Sequence, residues 1–206
     1  MGQYYALVAE IKRVDPNFVD KELLPPGGIA GLSWEGRKNL IDSLRMQLAV
    51  DYYRIRGEAA YFQVETVRFL QNIVDAAYKK GVILYNAGAI TQHLSREEAI
   101  GNYIDPLVRR GLKNMFASYG ISYGPRSDVT INNRDRIPPQ GYRIPDARIG
   151  DITYDWTLTL KTFNGTPQIR DYFRTESRVR AVIIIRPSQL GRNSTYLIPR
   201  ATGMPL

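Results

Sequence analysis

Along the first 120 positions apolar residues recur at steps of three and four; after Gly120 they gather in short alternating runs. Over 34–56, Trp34, Ile41, Leu44, Leu48, Tyr52 and Ile55 make one stripe, and the spacing predicts a helix closed by Gly57. Over 59–80, Phe62, Val67, Leu70, Val74 and Ala77 make a second stripe. Lys79-Lys80-Gly81 reads as its stop, with cations in the last turn and then a residue free to turn left-handed. Ser95-Arg96-Glu97-Glu98 has the form of a capping box opening a third helix, whose stripe is Leu107, Val108, Leu112, Met115 and Phe116. Asp105-Pro106 reads as a fresh N-cap and first-turn proline, which predicts a kink or restart there.

Beyond Gly120 the pattern predicts strands at Ser127–Asn133, Tyr142–Arg148 and Ile152–Thr162, the last two joined as a hairpin about Ile149-Gly150-Asp151. Thr166-Pro167-Gln168 opens a short helix. Ala181–Arg186 is apolar on both faces, as a central strand is. Ser194–Arg200 carries Pro199, which suits an edge. The expected class is therefore α+β: a helical accessory region over 1–94, then a core over 95–206. Within that core the order is helix, three strands, helix, two strands, around a mixed sheet.

Composition removes whole classes of chemistry. The chain of 206 residues has no cysteine, which excludes disulfides, thiolate catalysis and cysteine-bound zinc, and its single histidine, His93, excludes any multi-histidine site. No apolar run is long enough to span a membrane, and the start, MGQYYALVAEIKRVD, does not read as a signal peptide. The net charge of +8 is uneven: residues 1–120 hold 15 Lys+Arg against 13 Asp+Glu, and residues 121–206 hold 13 against 7. A basic half-chain suggests a polyanionic partner such as nucleic acid, DNA or RNA, against the plainer alternative of a soluble basic surface. Of those 13 basic residues only Lys161 is a lysine. Arginine suits phosphate through its forked donors, so a lone lysine hints that a compact ammonium is needed there.

Lys161 also ends a strand-like run, ITYDWTLTLK, where a charge is costly unless paired. On the alternation, residues 155, 157, 159 and 161 share a face, so Asp155 lies on the side of Lys161, but six residues of strand separate them by about 20 Å. Asp146 across the hairpin falls opposite about residue 154. Asp151 beside Gly150 reads as turn chemistry, and His93 as a structural loop residue.

The order of elements, Pro145-Asp146 on the second strand, Lys161-Thr162 on the third, and Gln168-Ile169-Arg170-Asp171-Tyr172 on the following helix together resemble the PD-(D/E)xK, or restriction-endonuclease-like, nuclease superfamily over about residues 95–186. The stretch TPQIRDYF…VIIIRPSQLGRNSTYLIPR resembles the C-terminal nuclease module of bacterial polymorphic toxins. The resemblance implies a metal-dependent phosphodiesterase using Mg²⁺ or Mn²⁺, with Asp146, Lys161 and Gln168 catalytic. Asp146 and Asp155 would be metal ligands, with Glu98 completing the set, and Arg143, Arg170, Arg174 and Arg178 would bind phosphates. It further implies a cognate immunity protein as partner, secretion within a longer chain, and action in the cytoplasm of a target bacterium. Thr159 stands where the family has its second acid. That departure leaves open whether Asp155 takes the role or Thr159 holds a metal-bound water beside Glu98. It also favours the alternative of a non-catalytic nucleic-acid- or protein-binding module on a degenerate nuclease fold.

Overall fold

The computed structural model describes residues 2–20, 24, 27–91 and 93–203. The chain is α+β, and it divides into two compact units, Met1–Thr66 and Val67–Leu206. The 94/95 division read from sequence texture falls in the connection between the third and fourth helices.

The first unit is helical. Helix α1, Gly2–Val14, buries Tyr4, Val8, Ile11 and Val14, a three-and-four spacing that the stripe analysis passed over. Helix α2, Trp34–Asp51, begins at Ser33, whose hydroxyl accepts from the Gly36 N–H at 3.0 Å. A π-helical turn, Tyr52–Arg56, continues it, and Gly57, at φ +73°, closes the run where the sequence predicts. Leu40 and Leu44 of α2 pack with Tyr4, Val8 and Ile11 of α1. The ends of the predicted stripe lie outside this contact: Trp34 is 83% exposed, and Ile55 is exposed as well.

Helix α3, Ala59–Asn86, runs straight through the expected stop at Lys79-Lys80-Gly81. Gly81 serves close packing instead. A Cβ there would lie 3.1 Å from Ile100 and from Tyr103 of helix α4, Arg96–Ser118, and a Cβ at Gly111 of α4 would lie 2.1 Å from Ile73 of α3. The capping box at Ser95 and Glu98 is present in both directions. Pro106 neither stops nor restarts α4; it and Asn102, whose carbonyl it leaves without a helical donor, are both exposed, so water can take that acceptor.

A five-stranded sheet follows in the order β1-β4-β5-β6-β7, built from β1 (Val129–Ile131), β4 (Ala147–Ile149), β5 (Ile152–Trp156), β6 (Ala181–Ile185) and β7 (Thr195–Pro199). Only β5 and β6 are parallel, so the sheet is mixed, with helix α5 (Pro167–Tyr172) in the crossover between them. The hairpin turn is where the pattern places it, with Gly150 at φ +57° between the paired Ile149 and Ile152. Three strands are much shorter than their patterns, β1 covering only Val129–Ile131 of Ser127–Asn133. Tyr142–Arg143, β3, pairs with Asp135–Arg136, β2, in a separate two-stranded arm, because Ile144-Pro145 interrupts the ladder before β4. β5 ends at Trp156, five residues before Lys161.

Val182 and Ile184 of β6 and Ile198 of β7 bury against Ile169, Tyr172 and Phe173 of α5 and its C-terminal end. Each such aliphatic side chain fully removed from water contributes about 1.5–3 kcal/mol, which fixes α5 on this face of the sheet.

Candidate functional site

The parallel register sets Thr153 beside Val182 and Asp155 beside Ile184. Asp155 therefore points toward the apolar layer under α5, and it is 2% exposed. A carboxylate in that position needs a cation or several donors.

The cation is Lys161, and a loop brings it back. The Thr157 N–H still bonds the Ile185 carbonyl, but the chain then bends, with the Thr159 N–H on the Thr157 hydroxyl. Arg186, buried at the end of β6, donates from Nε and Nη2 to the Leu158 carbonyl at 3.2 and 2.9 Å and from Nη1 to the Asn193 carbonyl at 2.9 Å. The Tyr196 hydroxyl on β7 accepts from the Lys161 N–H and donates to the Lys161 carbonyl, both at 2.8 Å. Held this way, Lys161 Nζ reaches Asp155 Oδ1 at 2.9 Å, Asp155 Oδ2 at 2.8 Å and Gln168 Oε1 at 2.9 Å. Three acceptors match the three protons of an ammonium. The separation of about 20 Å expected for a continuous strand is overturned, because residues 157–160 are not strand. Thr159 is exposed and bonds Thr157, so it takes no part in the site.

Helix α5 orients the other side. Gln168 and Tyr172 are four apart and lie on one face, and Gln168 Nε2 donates to the Tyr172 hydroxyl at 2.6 Å. That hydroxyl in turn faces Asp155 Oδ2 at 3.4 Å. Burial, with the carboxylates of Asp155 and Asp146 nearby, pushes the Tyr172 phenol well above its ordinary value, so it stays protonated and can act as a donor.

Asp146 joins the same group. Continuing the register one step past Ala147↔Tyr154 sets it opposite Asp155, one residue from the predicted partner and on the same face. Its Oδ2 accepts from the Trp156 N–H at 2.9 Å. Burial first, and the Asp155 carboxylate second, push the Asp146 carboxyl far above its ordinary 3.8, to about 8; the Trp156 N–H and the Lys161 ammonium pull the other way.

Several expected members are elsewhere. Glu98 is occupied by its cap, accepting from the Ser95 N–H at 3.1 Å and the Ser95 hydroxyl at 2.7 Å, bonds that lower its pKa; it does not complete the site. Among the described residues no three His, Cys, Asp or Glu side chains form a group that could hold a metal ion. The acid set is the pair Asp146 and Asp155. The arginines are largely engaged: Arg143 and Arg174 both pair with Asp171, and Arg170 donates to the Asn164 carbonyl at 2.5 Å. Arg178 is exposed.

The sequence reading missed four supporting residues. Asp105 of α4 is not an N-cap; it takes two bonds from Arg109, at 2.8 and 2.6 Å, and one from the Trp156 indole at 3.0 Å, and its charge helps to raise the Asp146 pKa. Trp156, Arg186 and Tyr196 are the others. An arginine ending the apolar run AVIII was the one visible sign, since a buried guanidinium must find acceptors. No known protein family, curated protein or solved structure matches the chain.

Proposed function

We propose that the chain is a divalent-metal-dependent nuclease, hydrolysing phosphodiester bonds at the cluster of Asp146, Asp155, Lys161, Gln168 and Tyr172. The observation that carries this reading is the Lys161 ammonium, bonded to both oxygens of a buried aspartate and to a helix glutamine, with a second carboxyl opposite. A surface ion pair needs none of those additions. The donor set suits Mg²⁺ or Mn²⁺: two carboxylates on adjacent strands are the usual protein share for such ions, which keep several waters. The raised Asp146 pKa has the same sense, because two acids crowded together with one ammonium call for a second cation. When bound, the ion would supply Lewis acidity toward a phosphoryl oxygen and a more acidic water.

The remaining work belongs to the side chains. Asp146 and Asp155 would hold the ion, and Asp155 also anchors Lys161. Lys161 sets a positive charge where the phosphoryl group gains negative charge in the transition state. Gln168 fixes the ammonium from one side and the Tyr172 hydroxyl from the other, so that neither has to reorient during reaction.

Plasmid DNA and a structured RNA, incubated with Mg²⁺ or Mn²⁺ and separately with EDTA, test the reading. Cleavage by the wild type that needs the ion and falls about a hundredfold or more in Asp155→Asn and in Asp146→Asn, each still folded, is the expected result. Equal cleavage by wild type and both variants would remove the site from the reaction.

A further inference from the structure

The arm formed by β2 and β3 plays no part in the cluster, yet it leads directly into it. Tyr142 is four residues before Asp146, so their Cα atoms are at most about 14 Å apart. The arm is braced rather than loose: the Glu176 N–H bonds the Arg136 carbonyl at 2.9 Å, the Ile137 N–H bonds the Gly141 carbonyl at 3.0 Å, and Arg143 is locked to Asp171 of α5. On this base an aromatic ring is left in water. Tyr142 is 46% exposed, and the Arg134 guanidinium lies 4.5 Å from its ring centroid. Arg134 is exposed and has no carboxylate partner among the described residues, so this contact is its main engagement.

An arginine over an exposed tyrosine is favourable by itself, and it presents two flat groups, a phenol ring and a guanidinium, together at the surface. Its surroundings are basic: the arm and the segment 170–178 that braces it hold six arginines, at 134, 136, 143, 170, 174 and 178, against Asp135, Asp171 and Glu176. Arg174 and Arg178 flank Glu176, the residue whose N–H joins the arm, and both are exposed. A stacking platform inside a cationic rim suits a ligand with a flat unpaired ring on an anionic backbone. Duplex meets such a surface with phosphates alone, since its bases are already stacked.

We infer that the β2–β3 arm is a binding platform for single-stranded nucleic acid, in which Tyr142 and Arg134 stack an unpaired base and the exposed Arg174 and Arg178 take the neighbouring phosphates, Arg136 and Arg143 being paired with Glu176 and Asp171. That the bound strand continues toward Asp146 rests on the nuclease reading; the platform itself does not.

The test is fluorescence anisotropy of a labelled oligothymidine and of a labelled duplex of equal length, titrated with the full chain in EDTA at low salt. Tyr142→Ala is expected to weaken single-strand binding about fivefold or more and to leave duplex binding nearly unchanged, while Tyr142→Phe keeps the wild-type affinity. Arg134→Ala should weaken single-strand binding, and Arg178→Ala should flatten its salt dependence by about one phosphate's worth. Equal effects of Tyr142→Ala on both nucleic acids, or none on either, overturn the platform. So does polyglutamate that displaces the label as well as unlabelled oligonucleotide does, which would assign the surface to an acidic protein. Cleavage assays on the same preparations separate the two ideas. A chain that cuts but ignores Tyr142→Ala loses the platform alone, and one that binds strands through Tyr142 but never cuts loses the nuclease reading alone.

Discussion

Two parts of the molecule each assemble a carboxylate, a cationic side chain and a tyrosine hydroxyl. In the helical unit, Glu10 accepts from Arg13 at 3.1 and 2.5 Å and from the Tyr52 hydroxyl at 2.6 Å. In the sheet unit, Asp155 accepts from Lys161 at 2.9 and 2.8 Å and faces the Tyr172 hydroxyl at 3.4 Å. The settings differ: the Arg13 and Glu10 side chains are 68% and 36% exposed, those of Lys161 and Asp155 16% and 2%. In water the trio is optional, because any member that is lost is replaced by solvent. Under α5 it is obligatory, because a buried aspartate left behind has only the Tyr172 hydroxyl at 3.4 Å and no opposite charge.

The largest expected effect breaks that contrast at its buried end. In EDTA, Lys161→Met should cost about 3–5 kcal/mol in chemical denaturation by stranding Asp155, and adding Leu at 155 should recover most of it. A single variant as stable as wild type would mean that solvent reaches Asp155 after all. The second concerns pH. The folded chain holds the Asp146 proton more tightly than the unfolded chain, so the stability this contributes is complete below about pH 4 and is lost as pH rises toward 8. Wild type in EDTA should therefore lose thermal midpoint across that window relative to Asp146→Asn, and Mg²⁺ should restore it near pH 8 in wild type only. Third, Tyr196→Phe removes two bonds to the Lys161 backbone. It should lower stability by about 1–2 kcal/mol in the same denaturation experiment. Smallest of all, Arg13→Ala should leave the denaturation midpoint where it was. Glu10, whose pKa Arg13 first and the Tyr52 hydroxyl second lower to about 2, should then titrate higher by NMR, still held below its ordinary value by Tyr52.

Local rules made much of the frame readable. The capping box at Ser95, the turn at Gly150, the buried Ala181–Ile185 strand and the edge strand with Pro199 each follow from a few neighbouring residues. So does the Gln168–Tyr172 pair, whereas the hairpin pattern sets Asp146 opposite residue 154, one residue short of Asp155. What escaped is long-range. Nothing within Thr157–Leu160 says that the strand has ended, since the polar–apolar alternation continues through it. The bend is imposed by Arg186 and Tyr196, 28 and 35 residues away from the groups they bind. Gly81 misled for a related reason: beside two lysines it matches a helix terminus, but its missing side chain is used by Ile100 and Tyr103 of the neighbouring helix.

Trp156 has a spectroscopic consequence. The chain has two tryptophans, and they sit in opposite circumstances, Trp34 being 83% exposed and Trp156 7%. The Trp156 indole hydrogen-bonds Asp105, and its backbone N–H bonds Asp146. Iodide should quench the emission of Trp34 and spare that of Trp156. The residual blue-shifted band then becomes an intrinsic optical probe, in the unmodified chain, of whatever neutralises Asp146: a proton or a divalent ion.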